Sequence, residues 1–331
     1  MVEHAIEAKN LSKSFRTYDI KGEGLFGSFR REYYSKKALS RVNFSVDEGE
    51  LIALLGRNGS GKSTLIKIMT GILFPDSGKI SVLGFDPWGE RIKLAEHIGV
   101  VLGAHGQLFW DLPALDAFEF MRKIYHVPKK NYERRLNTFL DALDLRDVYK
   151  RQVRTLSLGE QMKCNFVASV LHGPKIVFLD EPTIGVDLLS KAALTKTIME
   201  MNRDEKTTFI LTTHIVEDIA IAKRIMILNK GRFVFDGSRE KLEGLFGQKV
   251  KIDLRMTTDV PSAYRRYGKL VESGHNYVRL EVSKNTLKKP DFIRLLSDKN
   301  VVDYRVSEIG LSNILTKLYQ SMDKRRLKGR T

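Results

Sequence analysis

The sequence predicts an α/β fold in which a mostly parallel sheet carries a phosphate-cradling turn, and three observations support this. The stretch GRNGSGKST, Gly56 to Thr64, sits between the apolar runs Leu51 to Leu55 and Leu65 to Met69, a strand–turn–helix context. The run KIVFLDE, Lys175 to Glu181, is continuously apolar until it ends in two acids, as expected of a strand buried on both faces of a parallel sheet. Strand-like and helix-like patterns then alternate along most of the first 237 residues.

Length and composition set the frame. The 331 residues suffice for one large or two modest domains, and 42% hydrophobic content supplies a buried core without staples. No apolar run approaches the roughly 18 to 20 residues that cross a bilayer, and the opening MVEHAIEAKN has no apolar signal segment. The expectation is a soluble, cytoplasmic protein. The single cysteine, Cys164, excludes an internal disulfide and reads as a small core filler. The formal net charge of +16 points to a negatively charged neighbour: nucleotide, nucleic acid or an anionic membrane face. Roughly half of that excess lies in the last quarter of the chain, which ends in the basic run Lys324 to Arg330. That run reads as a solvated tail or as an anionic lipid contact.

Taken in order, Ile6 to Phe15, Val42 to Val46 and Glu50 to Leu55 read as short strands leading into the glycine-rich turn. Between the first two lies a long stretch, about 17–37, with a basic aromatic cluster, FRREYYSKK. It is a functional insertion or a disordered loop. Phe26, Phe29, Tyr33 and Tyr34 have the spacing of one side of a short helix, to pack on its own domain or dock on a membrane partner. After the turn and its helix come the FPDSG turn, Phe74 to Gly78, a strand over Lys79 to Val82 and another over Ile98 to Leu102. Leu115 to Tyr125 and Asn131 to Leu143 are amphipathic helices. With the helix after Ser157 they predict a mostly helical subdomain, about 104–172, interrupting the core.

The core resumes with the Lys175 to Glu181 strand, a helix from Leu188 to Asn202, a strand over Thr207 to Thr213 and a helix over Ile215 to Ala222. Ile225 to Leu228 and Arg232 to Phe235, joined by Asn229-Lys-Gly, form a closing hairpin. The first domain therefore spans about 1–238. Residues 239–331 change texture: Lys249 to Leu254 and Tyr277 to Val282 alternate, Asp291 to Leu296 is helical, Val301 to Val306 strand-like and Leu311 to Tyr319 amphipathic. They predict a small α+β accessory domain with a basic tail.

Glycines at 56, 59 and 61 let the backbone curl with φ > 0, so the N–H groups of Gly56, Arg57, Asn58, Gly59, Ser60, Gly61, Lys62, Ser63 and Thr64 turn inward on an anion at a helix N-terminus. A triphosphate suits that cradle. Lys62 would reach the β and γ phosphates, and the Ser63 hydroxyl would hold Mg²⁺. Asp180 and Glu181 end a buried strand at the sheet edge that presents ligands. Asp180 would bind Mg²⁺ through water and Glu181 would polarise the attacking water. In LSLGEQ, Ser157 with Glu160 three residues later is a capping box, and the same helix start is also a second anion site.

With the Walker A loop at 56–64, LSLGE at 156–160, FLDEP at 178–182, IGVD at 184–187 and TTH at 212–214, the chain resembles the ATP-binding-cassette (ABC) ATPases over roughly residues 5 to 237. The resemblance implies a P-loop NTPase, RecA-like core with an antiparallel β subdomain and a helical subdomain. It implies that the signature Ser157, Leu158, Gly159 and Glu160 acts in trans, contacting the γ-phosphate held by a second copy in a head-to-tail homodimer. Asp187 would carry the D-loop contact, and His214 would touch the γ-phosphate and the attacking water. The usual Gly-Gly-Gln is here Leu158-Gly159-Glu160, so the acid must turn away into the capping box. In VVLGAHGQLFWDLP the glutamine-loop register, a Mg²⁺ ligand, falls on Ala104 or Gln107, and Gln107 is the candidate. The adenine-stacking aromatic is Phe15, or else Tyr18.

DEPTIGVD, the early insertion and the short terminal domain resemble the type 2 exporter branch, whose ATPase is separate from its permease. The implied protein is a MgATP-dependent ATPase, peripherally attached to the cytoplasmic membrane face through a separately encoded integral membrane permease. The alternative is a soluble, nucleotide-switched protein acting on ribosome or nucleic acid, motivated by the basic balance. Translation-type relatives join two cassettes in one chain and repair relatives insert a long coiled coil. Neither feature is present, and nucleic acid is the less favoured partner.

Overall fold

Two long strands open the chain in the computed structural model, which describes residues 4–21, 30–103, 108–213, 217–245, 249–257, 266–297, 299–308, 311, 313–316, 318 and 320. Strands β1 (His4–Lys21) and β2 (Arg30–Asp47) pair antiparallel from His4 opposite Asp47 to Lys21 opposite Arg30. The stretch predicted to place aromatics on one side of a helix is therefore a hairpin arm. Tyr33 stands opposite Tyr18, with ring centroids 5.6 Å apart, and the Arg16 guanidinium lies 4.6 Å from the Tyr33 ring centre. Alternation along a strand sends Tyr33 and Tyr34 to opposite faces, which a helix would not do. Phe26 and Phe29 lie outside the described residues.

Next come β3 (Leu51–Leu55), α1 (Lys62–Met69), β4 (Ser77–Val82) and the short α2 (Arg91–Ala95). β4 pairs with the other side of β1, giving an antiparallel sheet of order β2-β1-β4. All five residues of β3 are buried. α1 packs its apolar side chains, Leu65, Ile66, Ile68 and Met69, into one core with Ile6 and Leu11 of β1, Val42 and Val46 of β2, and Ile52 and Leu54 of β3. That shared core joins the antiparallel sheet to the main one.

The main sheet is completed by β5 (Ile98–Leu102), β6 (Ile176–Asp180), β7 (Thr208–Thr213), β8 (Arg224–Asn229) and β9 (Arg232–Ser238), in the order β5-β6-β7-β3-β8-β9. The ladders from β5 to β8 are all parallel. β9 closes the sheet through the turn Lys230–Gly231, both residues with positive φ, the geometry that suits the twist of a hairpin. Its register holds Arg224 against two carboxylates, Asp236 at 2.7 Å and Glu50 at 3.0 Å.

Between β5 and β6 the chain forms α3 (Ala114–Ile124), α4 (Lys129–Ala142) and α5 (Leu158–Val170). α3 and α4 follow Pro113 and Pro128, whose fixed φ suits a helix start. Every residue from Met162 to Val170 is buried, so α5 is a helix enclosed on all sides rather than a surface one. Phe166 of α5 meets Phe139 of α4 edge to face at 6.4 Å. Burial pushes the Cys164 thiol of the same helix up to about 12, as expected for a core filler. β6 and β7 are joined by α6 (Leu188–Asp204), capped by Asp187, which accepts from the Ser190 N–H at 2.9 Å. The expected helix over 215–222 is a short 3-10 turn, Glu217–Ile221, within the described residues.

The chain divides into two compact units, Met1–Gly237 and Ser238–Thr331. The second holds β10 (Lys249–Met256), β11 (Lys269–Ser273), β12 (Tyr277–Ser283) and β13 (Val301–Glu308) in an antiparallel sheet of order β11-β12-β10-β13. One face carries Val250, Ile252, Leu254 and Met256 against Phe292 of the helix Pro290–Leu296. The sequence reading missed β11, whose residues are mostly exposed and show little periodicity. Among the described residues, no helix is long and apolar enough to cross a membrane.

Phe166→Ala removes a fully buried ring between α4 and α5. It should cost about 3–5 kcal/mol, read as a lower urea midpoint at unchanged slope, and a loss below about 1 kcal/mol would contradict this packing.

Candidate nucleotide site

The parallel registers set the ends of β3, β6 and β7 side by side, with Leu55 opposite Thr213 and Asp180 opposite Thr212. The segments leaving these strands therefore emerge at one edge. The loop after β3 and the acids at the end of β6 line one cleft of about 350 Å³, together with Gly103: Asn58 to Thr64 from the loop, and Asp180 and Glu181. Walker A and Walker B candidates thus converge.

Within the loop the glycines have two different reasons. Gly59 and Gly61 adopt φ of 76° and 112°, which side chains disfavour. Gly56, expected to do the same, does not. It is required by close approach, since a Cβ there would fall 2.3 Å from Ser60 Oγ and 2.4 Å from the Leu228 carbonyl oxygen. β8 presses directly on the loop.

Lys62 is the first residue of α1 and only 5% exposed. Its ammonium donates to the Gly56 carbonyl at 2.8 Å and lies 3.6 Å from Glu181 Oε1. A buried cation held by one carbonyl and one carboxylate, beside the N-terminus of an eight-residue helix, is an arrangement that can attract phosphate oxygens. Opposite it Asp180, 8% exposed, accepts from the Thr212 hydroxyl at 2.5 Å. Glu181 has φ 54°, a costly conformation of order 1–3 kcal/mol for a residue with a side chain. Its N–H is secured there by Thr212 Oγ1 at 3.0 Å and the Thr212 carbonyl at 3.2 Å. Thr212 therefore orients both acids at once. The motif TTH at 212–214 points to His214 and by itself gives Thr212 no role. The available signal was a hydroxyl near the end of an otherwise apolar buried strand.

The donor set fits a hard divalent ion of the Mg²⁺ type, which takes one or two carboxylates and fills its sphere with water and phosphate oxygens. Ser63 and Asp180 supply protein oxygens to the same cleft. Among the described residues no cluster of three acids, histidines or cysteines offers an all-protein cage.

The remaining candidates lie elsewhere. Ser157 caps α5: its hydroxyl accepts from the Glu160 N–H at 3.2 Å, and the Glu160 carboxylate accepts from the Ser157 N–H at 2.7 Å. The acid is thus engaged in the capping box, as the departure from Gly-Gly-Gln requires. A Cβ on Gly159 would stand 2.6 Å from Asp187 Oδ2 and 2.9 Å from Ser190 Oγ, so the signature and D-loop candidates are packed as one body. The Ser190 backbone N–H holds the Asp187 carboxyl below the usual carboxylate range. Leu158 stays exposed beside them. Phe15 and Tyr18 are both exposed. Phe15 has Lys13 Nζ 5.8 Å from its ring centre, whereas Tyr18 is engaged with Tyr33. Phe15, Tyr18 and Ser157 to Glu160 do not line the cleft. Gln107, Ala104 and His214 lie outside the described residues.

Fold and site together define a P-loop ATP-binding domain. The family model for ABC transporters matches residues 39–184. The daunorubicin resistance ATP-binding protein DrrA3 of Streptomyces coeruleorubidus is 30% identical over 226 residues, 68% of this chain and 71% of that protein. A solved structure described as the ATP-binding subunit of an ABC transporter superposes with a TM-score of 0.61 at 27% identity, covering 73% of this chain and 93% of that one. A dimeric ATP-binding cassette in a post-hydrolysis state, bound to ADP and Pi, superposes at 0.60 with 21% identity over 70% of this chain and 98% of that one, a likeness of fold. The chain belongs to the ABC transporter family, as one of its ATP-binding ATPase subunits. The ribosome or nucleic-acid alternative is not favoured.

Thr212→Val keeps the shape of the side chain and removes the hydroxyl that serves both acids. Steady-state ATP turnover should fall about tenfold or more while ATP affinity changes little, because the phosphate loop is untouched. Unchanged turnover would remove Thr212 from the site.

Proposed function

We propose that the chain powers an exporter: two copies close head to tail on two MgATP molecules, hydrolyse them, and move a separately encoded membrane permease to which they are bound at the cytoplasmic face. The observation that carries this reading is the arrangement of half-sites. Lys62, Asp180 and Glu181 share one cleft, whereas Ser157 and Gly159, fixed to Asp187, are not among its lining residues. A helix start built for an anion and absent from its own chain's cleft is best used by a second copy.

In this reading the loop amides and Lys62 hold the β and γ phosphates, and Ser63 and Asp180 hold Mg²⁺, the latter through water. Mg²⁺, when bound, neutralises charge on the β and γ oxygens. Glu181 orients the attacking water from its pinned backbone, and His214, just after β7, contacts the γ-phosphate. Gln107 is assigned to the metal and Phe15, the more available of the two aromatics, to the adenine. Leu158, Gly159 and Glu160 with Ser157 complete the partner's phosphate site, and Asp187 crosses the interface. The exporter direction is supported by the DrrA3 similarity and by DEPTIGVD at 180–187. The excess of positive charge is assigned to anionic headgroups beside the permease.

Glu181→Gln keeps the side-chain shape and loses the charge that activates water. With MgATP it should bind nucleotide and accumulate as a dimer by light scattering, with turnover reduced about 10²-fold or more. Lys62→Ala should lose most nucleotide affinity. A Glu181→Gln chain that stays monomeric at saturating MgATP, with its permease present, would refute the head-to-tail reading.

A further inference from the structure

The outer strand of the second unit is self-complementary. Among the described residues β13 pairs only with β10, leaving its other edge open. Natural edge strands are blunted by charge, proline, shortness or a bulge. This one runs eight residues without proline; its register against β10 shifts at Val302, and from Asp303 to Val306 it is regular, with Tyr304 and Val306 alternating with Asp303 and Arg305. Val302 is 66% exposed, Tyr304 51% and Val306 42%, high values for apolar and aromatic side chains in a strand.

The order of the residues selects the partner. If the strand meets a second copy of itself antiparallel about Tyr304, Asp303 falls opposite Arg305, Arg305 opposite Asp303, Val302 opposite Val306, and Tyr304 opposite Tyr304. Every pair is favourable, and the two charged pairs are equivalent by symmetry. Moving the axis by one residue, onto Arg305, sets the two arginines against each other.

The rest of the sheet is already built to be extended this way. On its polar face Glu272 of β11 meets Arg279 of β12 at 2.7 Å, and Arg279 meets Asp253 of β10 at 2.6 Å. Asp253 stands opposite Arg305 of β13 in the ladder. The row therefore runs acid, base, acid, base and stops at the open edge, where the next group called for is an acid. The second copy's Asp303 is that acid. On the other face Tyr304 and Val306 stand opposite Leu254 and Ile252, so the added strand would prolong the apolar layer.

We propose that this edge is an interface for a second copy of this chain, the two β13 strands pairing antiparallel about Tyr304 into one eight-stranded sheet. The pairing is independent of nucleotide. It holds two copies together through their second units when the head-to-tail sites are open, and so raises the effective concentration at which the ATP-binding units meet.

Cysteine cross-linking of the full chain without nucleotide tests the register. Residues directly opposed across an antiparallel pair have Cα atoms about 4.5 or 5.5 Å apart, within disulfide reach. In this register two copies of residue 302 lie about 13 Å apart along the strands, out of reach. The native Cys164 is buried and offers no competing thiol. With copper phenanthroline as oxidant, Tyr304→Cys should link to itself at least about tenfold faster than Val302→Cys or Val306→Cys alone, and a mixture of the last two should form the mixed dimer. Equal rates for all three variants, or no linkage of Tyr304→Cys, would overturn the proposal. Because MgATP is absent, that failure stands apart from any failure of the head-to-tail reading, which the gain in Glu181→Gln association between runs without and with MgATP reports separately.

Discussion

The site depends on one hydrogen-bond register. β3, β6 and β7 are held level by parallel ladders that set Leu55 against Thr213 and Asp180 against Thr212. A slip of one residue in either ladder would turn Asp180 away from the cleft and send the Thr212 hydroxyl to the other face of the sheet. Ile176 to Leu179 and Phe209 to Leu211 are buried on both faces. At the strand ends the bond from the Thr212 hydroxyl to Asp180 is made in this register.

Local features then refine what the register provides. The left-handed backbone at Glu181 is costly, and its N–H finds two acceptors on Thr212, so the sheet holds the acid in a conformation that the residue alone would avoid. The ammonium of Lys62 is withdrawn from solvent and given a carbonyl and a carboxylate as company. Each of these arrangements fixes a charge before ligand arrives, which lowers the reorganisation needed on binding.

Much of this was legible in the sequence wherever the signal is local. The glycine-rich turn, the apolar run ending in Asp180 and Glu181, the Ser157–Glu160 capping box and the helices between β5 and β6 depend on neighbours within a few residues. What escaped depends on contacts far along the chain. Tyr33 and Tyr34 fit a helical spacing as well as a strand, and only the partner strand, ending in Lys21, decides between them. Gly56 looked like a residue chosen for φ, but the reason for it is the Leu228 carbonyl, 172 positions away. Thr212 became informative only when β7 was laid beside β6. Register alone favours Phe15 over Tyr18, and the hairpin adds that Tyr18 is already engaged with Tyr33.

One carbonyl ties the hairpin arm to the phosphate loop. A Cβ on Gly61 and a Cβ on Gly231 would each fall 2.5 Å from the Ala38 carbonyl oxygen of β2, and the Gly231 N–H donates to the Ser60 carbonyl at 2.9 Å. The root of the arm, the closing hairpin and the loop therefore meet at one point with no room for a side chain between them. Tyr33 and Tyr34, exposed farther out, belong to the same strand whose Ala38 carbonyl abuts the loop lining the cleft.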